Sequence, residues 1–204
     1  MVGKLLAKRL GFCFMDTGIM YRAVTWVALA RKLQLEDAFS VAKLARDLTL
    51  ELDTSNEQER ILIDGVDVTD HLRDREVEYG VSTIAKIPAV RQSLVTRQRL
   101  LAEKNKFVVV GRDIGTVVIP DAKVKIFLEA SIRARAKRRH TELLRQGSLI
   151  KYGKVAADIQ RRDKIDLGRA DSPLRPAKDA IHIHTDDFSV TEIVEQILTL
   201  VSHR

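Results

Sequence analysis

Apolar residues recur along the chain in two rhythms, one helical and one extended. Val2, Leu5, Leu6 and Leu10 share one face of a helix, and Gly11 is placed to end it. The next four residues, Phe12-Cys13-Phe14-Met15, form a short apolar run that predicts a strand. The turn Asp16-Thr17-Gly18 then leads into a helix over about 19–32. The strand-then-helix order returns at 107–110 and at 124–128, the latter ahead of a helix opened by Ser131. It returns again at 181–184, ahead of Ser189-Val190-Thr191-Glu192, a capping box that starts an amphipathic C-terminal helix. Apolar strands alternating with helices predict an α/β fold whose parallel sheet is covered on both faces.

Two stretches break that order. Leu48-Thr49-Leu50-Glu51-Leu52 alternates with period two, and Ile61-Leu62-Ile63 is joined to Val66-Asp67-Val68 by Asp64-Gly65, a hairpin signal. This small antiparallel excursion is flanked by predicted helices near 37–47 and 75–85. The second break is the stretch 141–164, where Gln146-Gly147-Ser148 and Tyr152-Gly153-Lys154 interrupt helical patterning and suggest a mobile lid. No internal repeat, low-complexity tract or Pro-rich linker divides the chain, so one domain over 1–204 is expected. Its core is 1–36, 106–140 and 170–204, with an insertion over 37–105 and a lid region over 141–169.

Composition narrows the classes. With 204 residues and 45% hydrophobic content the chain can bury a core. No apolar run approaches a membrane span and no signal-peptide core opens the chain, so a cytoplasmic protein with no membrane association is expected. Cys13 is the single cysteine, which excludes a disulfide framework and leaves it a core-filling role. The net charge of +7 is concentrated: residues 132–169 hold twelve Lys/Arg against four Asp/Glu. Such a stripe attracts an anion, either a nucleic-acid backbone or a small polyphosphate. The only Phe, Tyr or Trp in that stretch is Tyr152, which argues against a nucleic-acid surface with stacking aromatics.

Three motifs carry chemistry. Asp16-Thr17-Gly18-Ile19-Met20-Tyr21-Arg22 closes a strand and opens a helix, setting a hydroxyl, a phenol and a guanidinium at a helix N-terminus that suits a phosphate monoester. Gly111-Arg112-Asp113-Ile114-Gly115-Thr116 lies past the carboxyl end of a predicted core strand, where open α/β sheets bind ligands. Arg161-Arg162-Asp163-Lys164-Ile165-Asp166-Leu167-Gly168-Arg169 spaces Arg162, Asp166 and Arg169 along one helix face. Read separately, each also fits a capped helix, a tight turn with a local ion pair, or a solvated helix.

Together with Ser82-Thr83-Ile84-Ala85-Lys86-Ile87-Pro88-Ala89-Val90-Arg91, and with 170–176 trailing the last motif, these blocks resemble the signature blocks of the cytidylate kinases, in order and spacing. The resemblance runs from Val2 to the C-terminus. It implies the P-loop nucleoside monophosphate kinase fold: a parallel-sheet α/β core, an inserted antiparallel NMP-binding subdomain and a short lid. It also implies transfer of the γ-phosphoryl group of ATP, with Mg²⁺, to CMP and dCMP, by a monomer. Thr17, Tyr21 and Arg22 match the residues that hold the CMP phosphate, and Arg112 and Arg169 match arginines that add charge there. Ser82, Arg91 and Asp113 match residues facing cytosine, whose N4 amino group a carboxylate can accept. Arg162 and Asp166 match ribose contacts, and Arg138 matches an arginine lying against the ATP adenine. Phosphoryl transfer needs positioning and charge neutralisation more than acid-base chemistry, which gives Arg112, Arg162 and Arg169 catalytic roles.

The sequence departs from the family on the ATP side. Members open with a strand and a G-x-x-x-x-G-K-[ST] loop, and no such loop occurs here: Gly3-Lys4 is followed by Leu5, and Gly153-Lys154 by Val155. Val110 stands where relatives often carry Asp or Glu. These departures lead to the expectation that a first, central strand between those at 107–110 and 124–128 is absent, through a chain shortened by about 20 residues. The alternative they raise is a catalytically impaired CMP-binding protein.

Overall fold

A computed structural model of the chain describes residues 1–53 and 59–202. Helix α1 (Val2–Leu10) ends at Gly11, whose φ of 65° is the left-handed conformation glycine adopts without steric cost. Strand β1 (Cys13–Asp16) leads directly into α2 (Thr17–Ala30), two residues earlier than expected, because the Asp16 side chain caps the helix by accepting the Gly18 N–H at 2.9 Å. There follow α3 (Ala38–Asp47), β2 (Leu50–Asp53), β3 (Arg60–Ile63), β4 (Val66–Asp67), a 3₁₀ turn (Thr69–Arg73), α4 (Arg75–Ile84) and α5 (Pro88–Ala102). Sequence patterning had not singled out α5, although Pro88 sits at its first turn, where proline is preorganised for a helix. The chain continues through β5 (Phe107–Val110), a π-type turn (Ile114–Val118), β6 (Ile126–Glu129), α6 (Ile132–Arg145), α7 (Tyr152–Leu167), β7 (Ile181–His184) and α8 (Val190–Ser202).

The strands form three small sheets: β1 parallel to β5, β6 parallel to β7, and the antiparallel β2-β3-β4 meander that the hairpin signal predicted. The fold is mixed α/β with small parallel sheets rather than one continuous covered sheet. Between the two parallel pairs runs a groove of about 1410 Å³, lined by all four residues of β5 and by Ile126 and Leu128 of β6. Residues of β5 are accordingly only half-buried, whereas Met15 of β1 is fully enclosed. Cys13, expected as core filler, is also half-buried.

Two apolar clusters hold the molecule. The larger joins α2 to the 37–105 segment through Met20, Val24, Val41, Ile61, Ile84, Val90 and Leu94, all fully buried. The smaller packs Leu6 of α1 and Ile183 of β7 against Ile193, Val194 and Ile197 of α8. The capping box holds as expected: the Ser189 N–H donates to Glu192 and the Glu192 N–H to the Ser189 hydroxyl. In the lid region one expectation is corrected. Gly147 (φ 80°) does close α6, but Tyr152-Gly153-Lys154 forms the first turn of α7 rather than a break, because an N-terminal turn has no preceding carbonyls for its N–H groups and tolerates glycine.

One buried acid ties the antiparallel segment to β1. Glu59 accepts the Asp16 N–H at 2.7 Å and is 8% exposed. Burial, and after it the Asp16 carboxylate, push its carboxyl group up to about 7, against the pull of the Asp16 N–H and of Lys4. The folded state therefore holds this proton more tightly than the unfolded chain, whose glutamates titrate near 4.5. Its burial costs nothing below that pH and progressively more up to about 7, on the order of 3 kcal/mol in all. Glu59→Gln keeps the acceptor and removes the titration, so its denaturant midpoint should gain on the parent's between pH 5 and pH 8. An equal offset at both pH values would refute this.

Candidate active site

The β1–β5 register ends with Asp16 opposite Val110, so the residues that leave the two strands emerge side by side. On one strand these are Thr17 and Gly18, the first turn of α2; on the other they are Gly111, Arg112 and Asp113. The Thr17 hydroxyl donates to the Val110 carbonyl at 3.1 Å, stitching the two ends together. Gly111 is required by this approach: a Cβ there would lie 2.3 Å from the Thr17 Oγ1 and 2.7 Å from the Ile114 Cδ1. Beyond Asp113 the chain makes its π-type turn, in which the Val117 and Val118 N–H groups both donate to the Asp113 carbonyl, at 2.8 and 3.2 Å. Such turns recur at functional sites because they re-aim side chains within a short span.

These ends open into a cavity of about 310 Å³ whose remaining walls come from α4, α5 and α7. Thr17, Tyr21, Arg22, Ser82, Arg91, Arg112, Asp113, Arg162, Asp166 and Arg169 all line it, so every residue expected to contact substrate is brought to one place. Arg138 is not among them. Its guanidinium donates to the hydroxyl and the carbonyl of Thr185 at the end of the β7 strand. Thr17 also differs from expectation: its hydroxyl is buried with its proton committed to Val110, so it does not stand free as a donor.

Three carboxylates organise the arginines. Asp113 and Arg91 form a buried ion pair, 7% and 3% exposed, and Arg91 also donates to the Ala85 carbonyl at 3.3 Å. Asp166 takes Arg169 on one oxygen and the Arg112 Nε, at 3.1 Å, on the other. Glu78, which sequence reading did not single out, is approached by Arg139 (3.0 Å), Arg162 (3.3 Å), Arg73 (3.4 Å) and Arg22 (3.9 Å). Arg162 thus turns to Glu78 rather than to its helical neighbour Asp166. No local pattern flagged Glu78, since its partners come from four separate elements; the only trace was an acidic helix in a chain whose lid is basic.

Burial depresses the guanidinium pKa of Arg22 and of Arg169, against the opposing pull of Asp16 and Asp166 respectively. Burial pushes the Tyr21 phenol up to about 12, keeping it protonated as a donor. Glu78 is pushed up by burial and pulled down further by its arginines, so it stays ionised. Among the described residues the Nε atoms of Arg22, Arg91, Arg162 and Arg169 make no hydrogen bond, and the buried Tyr21 hydroxyl, beside the Gln98 amide, makes none of good geometry. Buried donors are normally satisfied, and five orphans around one polar cavity fit an anionic ligand rich in acceptor oxygens.

Comparison with known proteins points the same way. A sequence profile described as "Cytidylate kinase" matches residues 1–203. The chain is 44% identical over 203 residues to the cytidylate kinase of Geobacillus sp. (strain WCH70), 46% to that of Geobacillus kaustophilus (strain HTA426) and 41% to that of Bacillus subtilis (strain 168). Each alignment takes in 100% of this chain and 91% of the relative. Matches of this extent lend no support to the expected truncation, nor do they favour an inactive binding protein.

Proposed function

The chain belongs to the cytidylate kinase family and transfers a phosphoryl group from ATP to CMP; from that premise we propose how its residues divide the work. In the reaction an oxygen of the CMP phosphate attacks the γ-phosphorus of ATP, and the bond to the β–γ bridging oxygen breaks, giving CDP and ADP. The observation that carries the assignment is the ring of five orphaned buried donors around the 310 Å³ cavity. Tyr21 and Arg22, at the positive end of α2, hold the acceptor phosphate, with Thr17 fixing the helix start. Arg112 and Arg169, pinned by Asp166, neutralise charge as the phosphoryl group moves, and Arg162 joins them from α7. Ser82, Arg91 and Asp113 face the base. With Asp113 Oδ2 held by Arg91, the carboxylate offers Oδ1 to the cytosine amino group, while uracil would present an oxygen that it repels.

The finer architecture belongs to the same reading. Residues 37–105 act as the NMP-binding insertion and 141–169 as the lid of a single domain, and the family's first strand, whose place is between β5 and β6, is absent from the described residues. The open groove between those strands supports the last point. Mg²⁺ enters with ATP, as part of the MgATP substrate. No described helix is long and apolar enough to cross a membrane. We take the enzyme to be a cytoplasmic monomer that accepts dCMP as well as CMP and binds no nucleic acid.

A coupled ADP-release assay tests this directly: turnover should depend on CMP and fall when UMP replaces it. Asp113→Asn should narrow the calorimetric preference for CMP over UMP by about 10-fold, the worth of one charge-assisted hydrogen bond. Equal affinities of the unaltered protein for the two nucleotides would dismiss Asp113 as the base reader.

A further inference from the structure

Glu78 sits on α4, outside the cavity, yet it holds two of the arginines that line it. Its two carboxylate oxygens lie within 4 Å of four guanidiniums: Arg22 of α2, Arg73 of the 3₁₀ turn, Arg139 of α6 and Arg162 of α7. Asp16 and Glu142 share the load only at the edges, 3.9 Å from Arg22 and 2.9 Å from Arg139. The cluster therefore keeps an excess of positive charge around one half-buried carboxylate. Arg162 is bound twice over, since it also donates to the Glu78 backbone carbonyl. The next residue completes the clasp: the Tyr79 ring carries the Arg161 guanidinium at 4.4 Å. Two consecutive residues of α4 thus hold two consecutive arginines of α7.

This is how an oxyanion would be held, with planar donors converging on paired oxygens, except that the anion is a side chain of the protein. The Arg162 Nε meanwhile is buried and makes no hydrogen bond among the described residues, and the Arg22 Nε approaches Glu78 no nearer than 3.9 Å, so each guanidinium can turn to a second anion. We propose that Glu78 is a positioning residue that serves as the resident counter-anion of the phosphate site, holding Arg22 and Arg162 against α4 until substrate phosphate displaces it. This rests on the cavity being the CMP site. Phosphate outcompetes the carboxylate because it brings more charge and more acceptor oxygens to the same donors. Part of its binding energy is then used to detach α7 from α4, which couples occupancy of the site to movement of the lid helix. The nucleoside moiety, which meets these arginines only through the ribose contact expected of Arg162, depends on Glu78 far less than the phosphate does.

Calorimetric titrations of CMP and of cytidine into the parent and into Glu78→Gln decide the matter. The variant should bind CMP 3- to 10-fold more tightly, with a steeper loss of affinity as salt rises, while cytidine affinity stays within 2-fold of the parent's. A merely structural role predicts instead that CMP and cytidine weaken together, and that result overturns the proposal. Glu78→Asp retains the charge but shortens its reach, so the cluster stays neutralised should the glutamine variant fail to fold. Its CMP affinity should also rise, by about 2- to 3-fold, and an unchanged or weakened value overturns the proposal. A parent protein that binds neither CMP nor cytidine would instead remove the reading of the cavity itself.

Discussion

Asp113→Ala should cost about 3–5 kcal/mol of stability and abolish CMP-dependent turnover. The stability loss follows from burial: Arg91 is 3% exposed, and removing its carboxylate partner strands a guanidinium that water cannot reach. Replacing both partners by apolar residues of similar volume, as in Arg91→Met with Asp113→Leu, avoids the stranded charge and should restore most of the denaturant midpoint. The double variant should nevertheless remain inactive, because the groups proposed to read the base are gone. A double variant as unstable as Asp113→Ala would show that the pair is held for more than charge compensation. Recovered turnover would show that neither residue reads the base.

Arg169→Ala should lower kcat for CMP by about 10³-fold, the scale on which a transition-state arginine acts in phosphoryl transfer. Its burial depresses its pKa, Asp166 pins one end of it, and its Nε is left free at the cavity. A guanidinium so fixed can meet charge as it develops without first reorganising. Arg169→Lys keeps the charge but loses the planar fork, and should recover no more than a tenth of the lost rate. The Asp166 carboxylate retains Arg112 at 3.1 Å in both variants, so thermal stability should change little. Arg169→Ala acting only through a raised KM, with kcat intact, would move the residue from catalysis to ground-state binding.

The chain's local chemistry was legible from sequence wherever a signal is short-ranged. The strand-to-helix join at Asp16, the Asp64-Gly65 hairpin and the Ser189/Glu192 capping box are each decided within a few residues, and each formed, the join with its helix starting two residues early. The ten residues expected to contact substrate line one cavity because the parallel β1–β5 register carries two distant motifs to the same end of one sheet. What sequence hid was long-range. Glu78 gathers arginines from 5 to 84 positions away, and the Arg162 spacing that matched Asp166 gave no sign of the stronger pull from α4. The tie from Arg138 to Thr185 was hidden for the same reason, since those oxygens lie 47 residues downstream. Gly153 was read as a break because glycine in a helix interior costs stability, a cost that largely lapses in the first turn.

The separation of the two apolar clusters gives the molecule an uneven mutational landscape. Tyr21, Arg22, Ser82 and Arg91 project from helices that also build the larger cluster, so a lost methylene at Val24, Ile84 or Val90 is transmitted to the groups proposed to contact the nucleotide. Leu6, Ile193 and Ile197 do not line that cavity, and their cluster reaches it only through Val108 of β5, three residues before Gly111. Damage there is expressed as abundance, in the fraction of chains a cell keeps folded, and leaves the survivors' choice of substrate intact. Variation that alters specificity is thereby confined to one part of the chain, and variation that alters only dosage to another.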